Sequence, residues 1–142
     1  MKTKIIIASL VLMLLAVTAY AENTPKIVTD GMEAFKTSGF EAAFDVWLKN
    51  SPMDNDKTTI SSLKGALVQI EGLYGKMIGY EILINYKLSS TTVRTYAEIH
   101  YEKGPVFLFF DSYKTATGWV IPMMRFHTDA NQIFPEAFLF KK

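Results

Sequence analysis

Apolar residues recur at helical spacing through the first half of the chain and on a period of two through most of the second half. Ile27, Met32, Ala34 and Phe35 mark a short first helix behind a polar stretch containing Pro25. Phe40, Ala43, Phe44, Trp47 and Leu48 then form one apolar stripe on a second helix that ends near Asn50. The S-x-x-E spacing of Ser38-Gly39-Phe40-Glu41 predicts a capping box at its start, with the Ser38 hydroxyl accepting from the amide near Glu41. Ser51-Pro52 stops this helix, because the residue before a proline is pushed out of the helical region. Beyond a polar loop, Thr58 or Thr59 can cap a third helix carrying Ile60, Leu63, Leu67, Ile70 and Tyr74 on one side, and Gly72 and Gly75 end it.

From Met77 the period is two. Ile78, Tyr80, Ile82, Ile84, Tyr86 and Leu88 share one face of a strand, against Gly79, Glu81, Leu83, Asn85 and Lys87 on the other. After Ser89-Ser90-Thr91, a second strand alternates Val93, Thr95, Ala97, Ile99 and Tyr101 with Arg94, Tyr96, Glu98, His100 and Glu102. Lys103-Gly104 reads as a tight reversal into residues 105–114, apolar on both faces over Val106 to Phe110 and therefore a central strand. In the last strand, from Trp119 to His127, Met124 and Phe126 fall out of phase with Trp119 and Ile121. A β-bulge near Pro122-Met123 restores the phase and accommodates a proline. Asp129 to Phe134 can add one helical turn. The expected fold class is therefore α+β, with N-terminal helices packed on a curved antiparallel sheet of about four long strands.

The first residues follow a different pattern. Lys2 and Lys4 precede the apolar run Ile5 to Val17, and Thr18-Ala19-Tyr20-Ala21-Glu22 supplies an A-x-A site, which is the layout of a secretory signal peptide cleaved after Ala21. The apolar run is too short to span a bilayer. The expected destination is the periplasm or the exterior, with residues 22–142 as a single domain free of the membrane. Cleavage takes two of the 15 basic residues and none of the 14 acidic ones, leaving a net charge of about −1. No basic cluster marks a nucleic-acid partner. The chain has no cysteine, which excludes thiol catalysis and zinc–thiolate sites.

The stretch Thr92–Glu102, then Gly104-Pro105-Val106-Phe107-Leu108-Phe109-Phe110 with Tyr113, Gly118-Trp119 and Arg125-Phe126-His127-Thr128-Asp129 resembles the closing strands of the NTF2-like superfamily, which has the cystatin-like cone fold. The resemblance covers about residues 27–138. It implies a cone of sheet closed by helices, as in ketosteroid isomerases, scytalone dehydratases and small exported proteins of the same superfamily. None of the active-site patterns of those enzymes falls on matching residues here, and a fold does not carry a function with it.

Candidate chemistry divides by sheet face. An antiparallel register through Lys103-Gly104 sets Ile99 near Leu108 and Ala97 near Phe110, with Glu98 near Phe109 and Tyr96 near Asp111 on the opposite face. Val93, Ala97, Ile99, Val106, Leu108 and Phe110 then pack on the helices. Phe44, Trp47, Tyr80, Ile82, Phe110 and Trp119 are the candidates for a lipophilic pocket, or else simply core. On the opposite face, Arg94, Tyr96, Glu98, Phe107, Phe109, Asp111 and Tyr113 are the candidate contacts of a homodimer. His100 and His127 have no carboxylate at metal-binding spacing, and the glycines form no phosphate loop, so no metal or cofactor is expected. Two functions follow. One is an exported, non-catalytic domain that binds a small apolar ligand or a protein partner. The alternative is an isomerase- or dehydratase-type enzyme, in which Glu81, Glu98, His100 or Asp111 enters the cone beside a tyrosine hydroxyl that stabilises an enolate.

Overall fold

The computed structural model describes residues 23–140; the leader read from residues 1–21 lies outside them. Three helices, α1 (Lys26–Ser38), α2 (Phe40–Trp47) and α3 (Lys57–Tyr74), precede four strands, β1 (Met77–Lys87), β2 (Thr92–Tyr101), β3 (Gly104–Thr115) and β4 (Gly118–His127). A 3-10 turn (Ala130–Gln132) and a short helix α4 (Glu136–Leu139) follow. The strands form one antiparallel meander in the order β1-β2-β3-β4. The fold class is α+β, as the periodicity predicts.

The main core lies between the helices and one sheet face. Val28, Met32 and Phe35 of α1 and Ala43, Phe44 and Trp47 of α2 meet Ala97, Ile99, Val106, Leu108, Phe110 and Ile121 of the sheet. The third helix presents the side carrying Ile60, Leu63, Leu67, Ile70 and Tyr74 to this core, yet buries only Leu67 completely. Its start is capped by Asp56, which accepts from the Thr59 amide at 3.0 Å and the Thr59 hydroxyl at 2.6 Å. The cap therefore lies two residues before the first threonine suggested by the sequence.

The expected capping box at Ser38 does not form. Ser38 is the last residue of α1, and Gly39, at φ +89°, is the single residue between α1 and α2. A turn this abrupt requires a left-handed backbone angle that glycine adopts without a Cβ clash. The Glu41 carboxylate, free of capping duty, pairs with Lys64 of α3.

Two details of the sheet differ from the sequence reading. The β2–β3 turn is Glu102-Lys103, because Tyr101 pairs with Gly104. The observed partners are Ala97 with Leu108, Ile99 with Val106, Tyr96 with Phe109 and Arg94 with Asp111. The shift is two residues, so every side chain keeps its expected face while changing its partner. Strand β1 has bulges at Met77/Gly79 and Ile82/Ile84. The second moves Ile84 and Tyr86 to the face opposite Ile82, beside Tyr96. The predicted bulge at Pro122 is present, between the pairs Asp111–Met123 and Tyr113–Val120.

Candidate functional site

The lipophilic pocket candidates do not act as one group. Phe44, Trp47 and Phe110 are buried and interlock, with ring centroids 6.2 Å apart for Phe44–Trp47 and 4.9 Å for Trp47–Phe110. Tyr80 and Ile82 pack at the margin of this cluster, and the Tyr80 hydroxyl donates to Glu33 at 2.7 Å. Trp119 is half-buried in β4 opposite Lys114. The buried rings occupy the centre of the core.

The opposite face, expected to carry the contacts of a homodimer, is crossed by the chain's own C-terminal segment. Ile133, Phe134, Phe138 and Leu139 pack on Tyr96, Phe107 and Phe109 together with Leu83 and Ile84. Phe134 lies 5.3 Å from Tyr96 and stacks on Phe138 at 4.7 Å. Tyr96 is only 3% exposed as a result. Beyond this strap runs a row of cross-strand neighbours, Tyr86, Arg94, Asp111 and Met123, one from each strand. Arg94 grips Asp111 through two hydrogen bonds of 2.7 and 2.8 Å and covers the Phe109 ring at 4.4 Å. Its bonds to Asp111 hold the guanidinium above its ordinary pKa. Tyr86, Tyr113 and Met123 remain exposed around the pair.

Glu81, Glu98, His100 and Asp111 all lie on this outer face. Glu81 is directly opposite Glu98, and His100 Nε2 is 3.4 Å from Glu98 Oε1. None of the four enters the core beside a tyrosine, so the acid–base constellation required by the enzyme alternative is not assembled from these residues. Among the described residues, no group of three His, Asp or Glu side chains is arranged to hold a metal ion.

A cleft of about 560 Å³ opens where the last turns of α1 and α3 meet the start of β1. Phe35 and Met77 supply its apolar surface, Glu71 and Glu102 its acids, and Lys36 and Lys76 its cations. Local geometry fixes this corner. Gly75 leaves α3 at φ +83°, and a Cβ there would sit 2.1 Å from Glu102 Oε2. That carboxylate accepts from the Lys76 amide at 3.1 Å, while the Glu102 and Lys103 amides donate to the Lys76 and Tyr74 carbonyls. The β2–β3 turn is thereby tied to the end of α3. Burial raises the pKa of Glu71. Tyr101, the ladder partner of Met77, is 3% exposed. Its hydroxyl is sealed from solvent and has no hydrogen-bond partner among the described residues. Burial, and secondarily the charge of Glu71, raises its pKa. A smaller cleft of about 260 Å³ lies between α2 and α3, beside Leu48, Lys49 and Lys64.

No family model, curated protein or solved structure matches this chain.

Sequence reasoning missed both the cleft and the strap. Glu71 carries one usable signal: an acid in the last turn of a helix, where the macrodipole favours cations. Tyr101 carries none, since its alternation marks it only as an inward residue. The strap carries a faint one in the apolar pairs Ile133-Phe134 and Phe138-Leu139 on either side of Pro135.

Proposed function

We propose that the protein is an exported, non-catalytic α+β domain of the NTF2-like type that binds a small, largely apolar ligand in the cleft between α3 and β1. The observation that carries this reading is the cleft itself: about 560 Å³, with Phe35 and Met77 on its surface and charged groups converging around them. Its volume is within the range of small-molecule sites, which combine apolar walls with a few placed polar groups. The order of helices followed by an antiparallel meander supports the NTF2-like assignment, and the leader-like N-terminus supports export. The test is to titrate residues 22–142 with small aromatic probes and follow backbone amide shifts. Shifts at Lys36, Lys76 and Met77 are expected, and Met77→Trp, which fills the cleft, should abolish them. Shifts confined to other surfaces would remove the reading.

A second reading, association with another copy through the outer face, is favoured by the exposed row outside the strap, where Tyr113 is 44% and Met123 51% exposed. Exposed apolar groups around a polar pair resemble the make-up of a protein contact. Sedimentation of the wild type and of Met123→Glu at micromolar concentration tests it, with a wild-type dimer and a mutant monomer expected. A monomeric wild type would remove it.

A further inference from the structure

We infer that the cleft between α3 and β1 and the smaller one between α2 and α3 are the two ends of one groove beneath α3, and that this groove takes a single unbranched alkyl chain with a polar end. The inference rests on the ligand-binding reading above and deepens it, by giving the ligand a shape and a second point of contact.

Helical spacing puts both clefts on one edge of α3. Ile60 and Lys64 line the smaller cleft and Glu71 lines the larger one. Four and seven residues separate them in turn, close to one and two whole helical turns, so the three share a side of the helix. From Ile60 to Glu71 that edge is roughly 16 Å long at the helical rise. Leu67, between Lys64 and Glu71 on the same edge, is 2% exposed and closes the middle. The facing wall is continuous as well. Phe35 lines the larger cleft and Phe44 the smaller, and the Phe40 ring packs edge-on against both, with centroids 6.4 Å from Phe35 and 6.3 Å from Phe44. Aromatic surface therefore runs from one cleft to the other.

The middle of this groove is apolar and its ends are charged. Lys36, Glu71 and Lys76 stand at one end, and Asp45, Lys49 and Asp54 at the other. An alkyl chain matches that order, with its methylenes against Phe40 and Leu67 and its polar end at the mouth of the larger cleft. A rigid ring system fits one cleft, and filling both would require the whole helix to lift. An extended peptide would carry its amides past Phe40 and Leu67, neither of which offers a hydrogen bond, and burying unpaired amides is costly. A methylene chain needs only the width that Leu67 vacates.

The third helix can yield that width. It buries only Leu67 completely, while Ile60, Leu63, Ile70 and Tyr74 stay half-buried along its inner side. The Glu41–Lys64 pair that ties it to α2 lies at the surface, where such pairs contribute little to stability.

A chain-length series separates one groove from two clefts: n-butanol, n-hexanol, n-octanol and n-decanol, each titrated against residues 22–142 by amide shift. Affinity should rise about fourfold for each added methylene as far as n-decanol, the scale of burying one methylene group. The shortest probe should shift Lys36, Lys76 and Met77 alone. The longest should also shift Leu48, Lys49 and Lys64, with the same midpoint. Lys64→Trp puts a ring into the smaller cleft from a surface position, so the variant should fold. It should bring n-decanol down to about the affinity of n-hexanol while the shifts at Lys76 and Met77 persist. A plateau in affinity at n-hexanol, n-decanol shifts confined to the larger cleft, separate midpoints for the two sets, or n-decanol binding unaltered in Lys64→Trp would each overturn the inference while leaving the larger cleft as a ligand site. Absence of shifts at the larger cleft throughout the series would overturn both.

Discussion

Gly31 on α1 lies against the indole of Trp47 on α2 so closely that a Cβ at Gly31 would sit 1.9 Å from Trp47 Nε1. The same indole nitrogen donates to the Val28 carbonyl at 3.2 Å, and its ring contacts Phe35, Phe44 and Phe110. Glycine is a poor helix former, so its presence inside α1 reflects the space that the indole needs. Gly31→Ala should gain helix propensity and still destabilise, by roughly 1–3 kcal/mol or more, because overpacking a fixed ring outweighs a propensity gain of about 1 kcal/mol. Urea unfolding of the variant checks the sign, and a stabilised protein would mean that the two helices can part without cost.

Removing the ring itself tests the same contact from the other side. Trp47 is 1% exposed at the centre of the core. Trp47→Ala should therefore cost roughly 3–5 kcal/mol, the range for a large aromatic replaced by alanine. Its thermal midpoint should fall accordingly, and an unchanged midpoint would place the ring outside the cooperative core.

Such contacts also define what the sequence can and cannot disclose. The stripe Phe40, Ala43, Phe44, Trp47 and Leu48 announces α2 and its buried side, and strict alternation places Ala97, Ile99, Val106 and Leu108 inward, as observed. Local pattern is sufficient there because one buried face imposes one period. It fails where the chain breaks period. Ile82-Leu83-Ile84 is apolar at three successive positions, which alternation cannot explain and a bulge can: Ile82 joins the main core while Leu83 and Ile84 join the second one. The strap is illegible for another reason, since its burial depends on residues in β1, β2 and β3 that are distant in the chain. The cleft depends on three separate chain turns meeting at one corner, and no single segment encodes that meeting.

The strap itself is open to test. Phe134 is 6% exposed and touches Tyr96, Phe107 and Phe138. Phe134→Ala should cost roughly 3 kcal/mol as a buried aromatic truncation. It should also bare Tyr96 and the phenylalanines of β3, so that sedimentation shows concentration-dependent association beyond that of the wild type. A variant with wild-type stability and no added association would show that the segment contributes nothing to the folded unit.

Export predicts a specific chemical end. Protein recovered from its natural host should have an intact mass corresponding to a chain that begins at Glu22, since the A-x-A site ends at Ala21. A membrane-bound chain retaining residues 1–21 would contradict the leader reading.

Alkaline stability should depend on the link between Tyr80 and Glu33. Burial, reinforced by the hydrogen bond to Glu33 and by its charge, raises the Tyr80 pKa from the model-peptide 10.0 to about 12. The folded state therefore holds the phenolic proton more tightly than the unfolded chain does. A group whose pKa rises on folding contributes stability that is complete below its unfolded pKa and is lost as pH climbs through the folded value. The window is about pH 10 to 12, and the sealed hydroxyl of Tyr101 acts in the same direction. Lysines also titrate there, so the informative quantity is a difference: urea midpoints measured at pH 9 and pH 11 for the wild type and for Tyr80→Phe. The wild type should lose more stability between the two pH values than the variant does. Because Tyr80→Phe also removes the bond to Glu33, the variant should start weaker at pH 9, and the two proteins should converge as the wild-type phenol ionises. Parallel losses would show that Tyr80 titrates alike in the folded and unfolded chains, and that the Glu33 contact does not hold the proton.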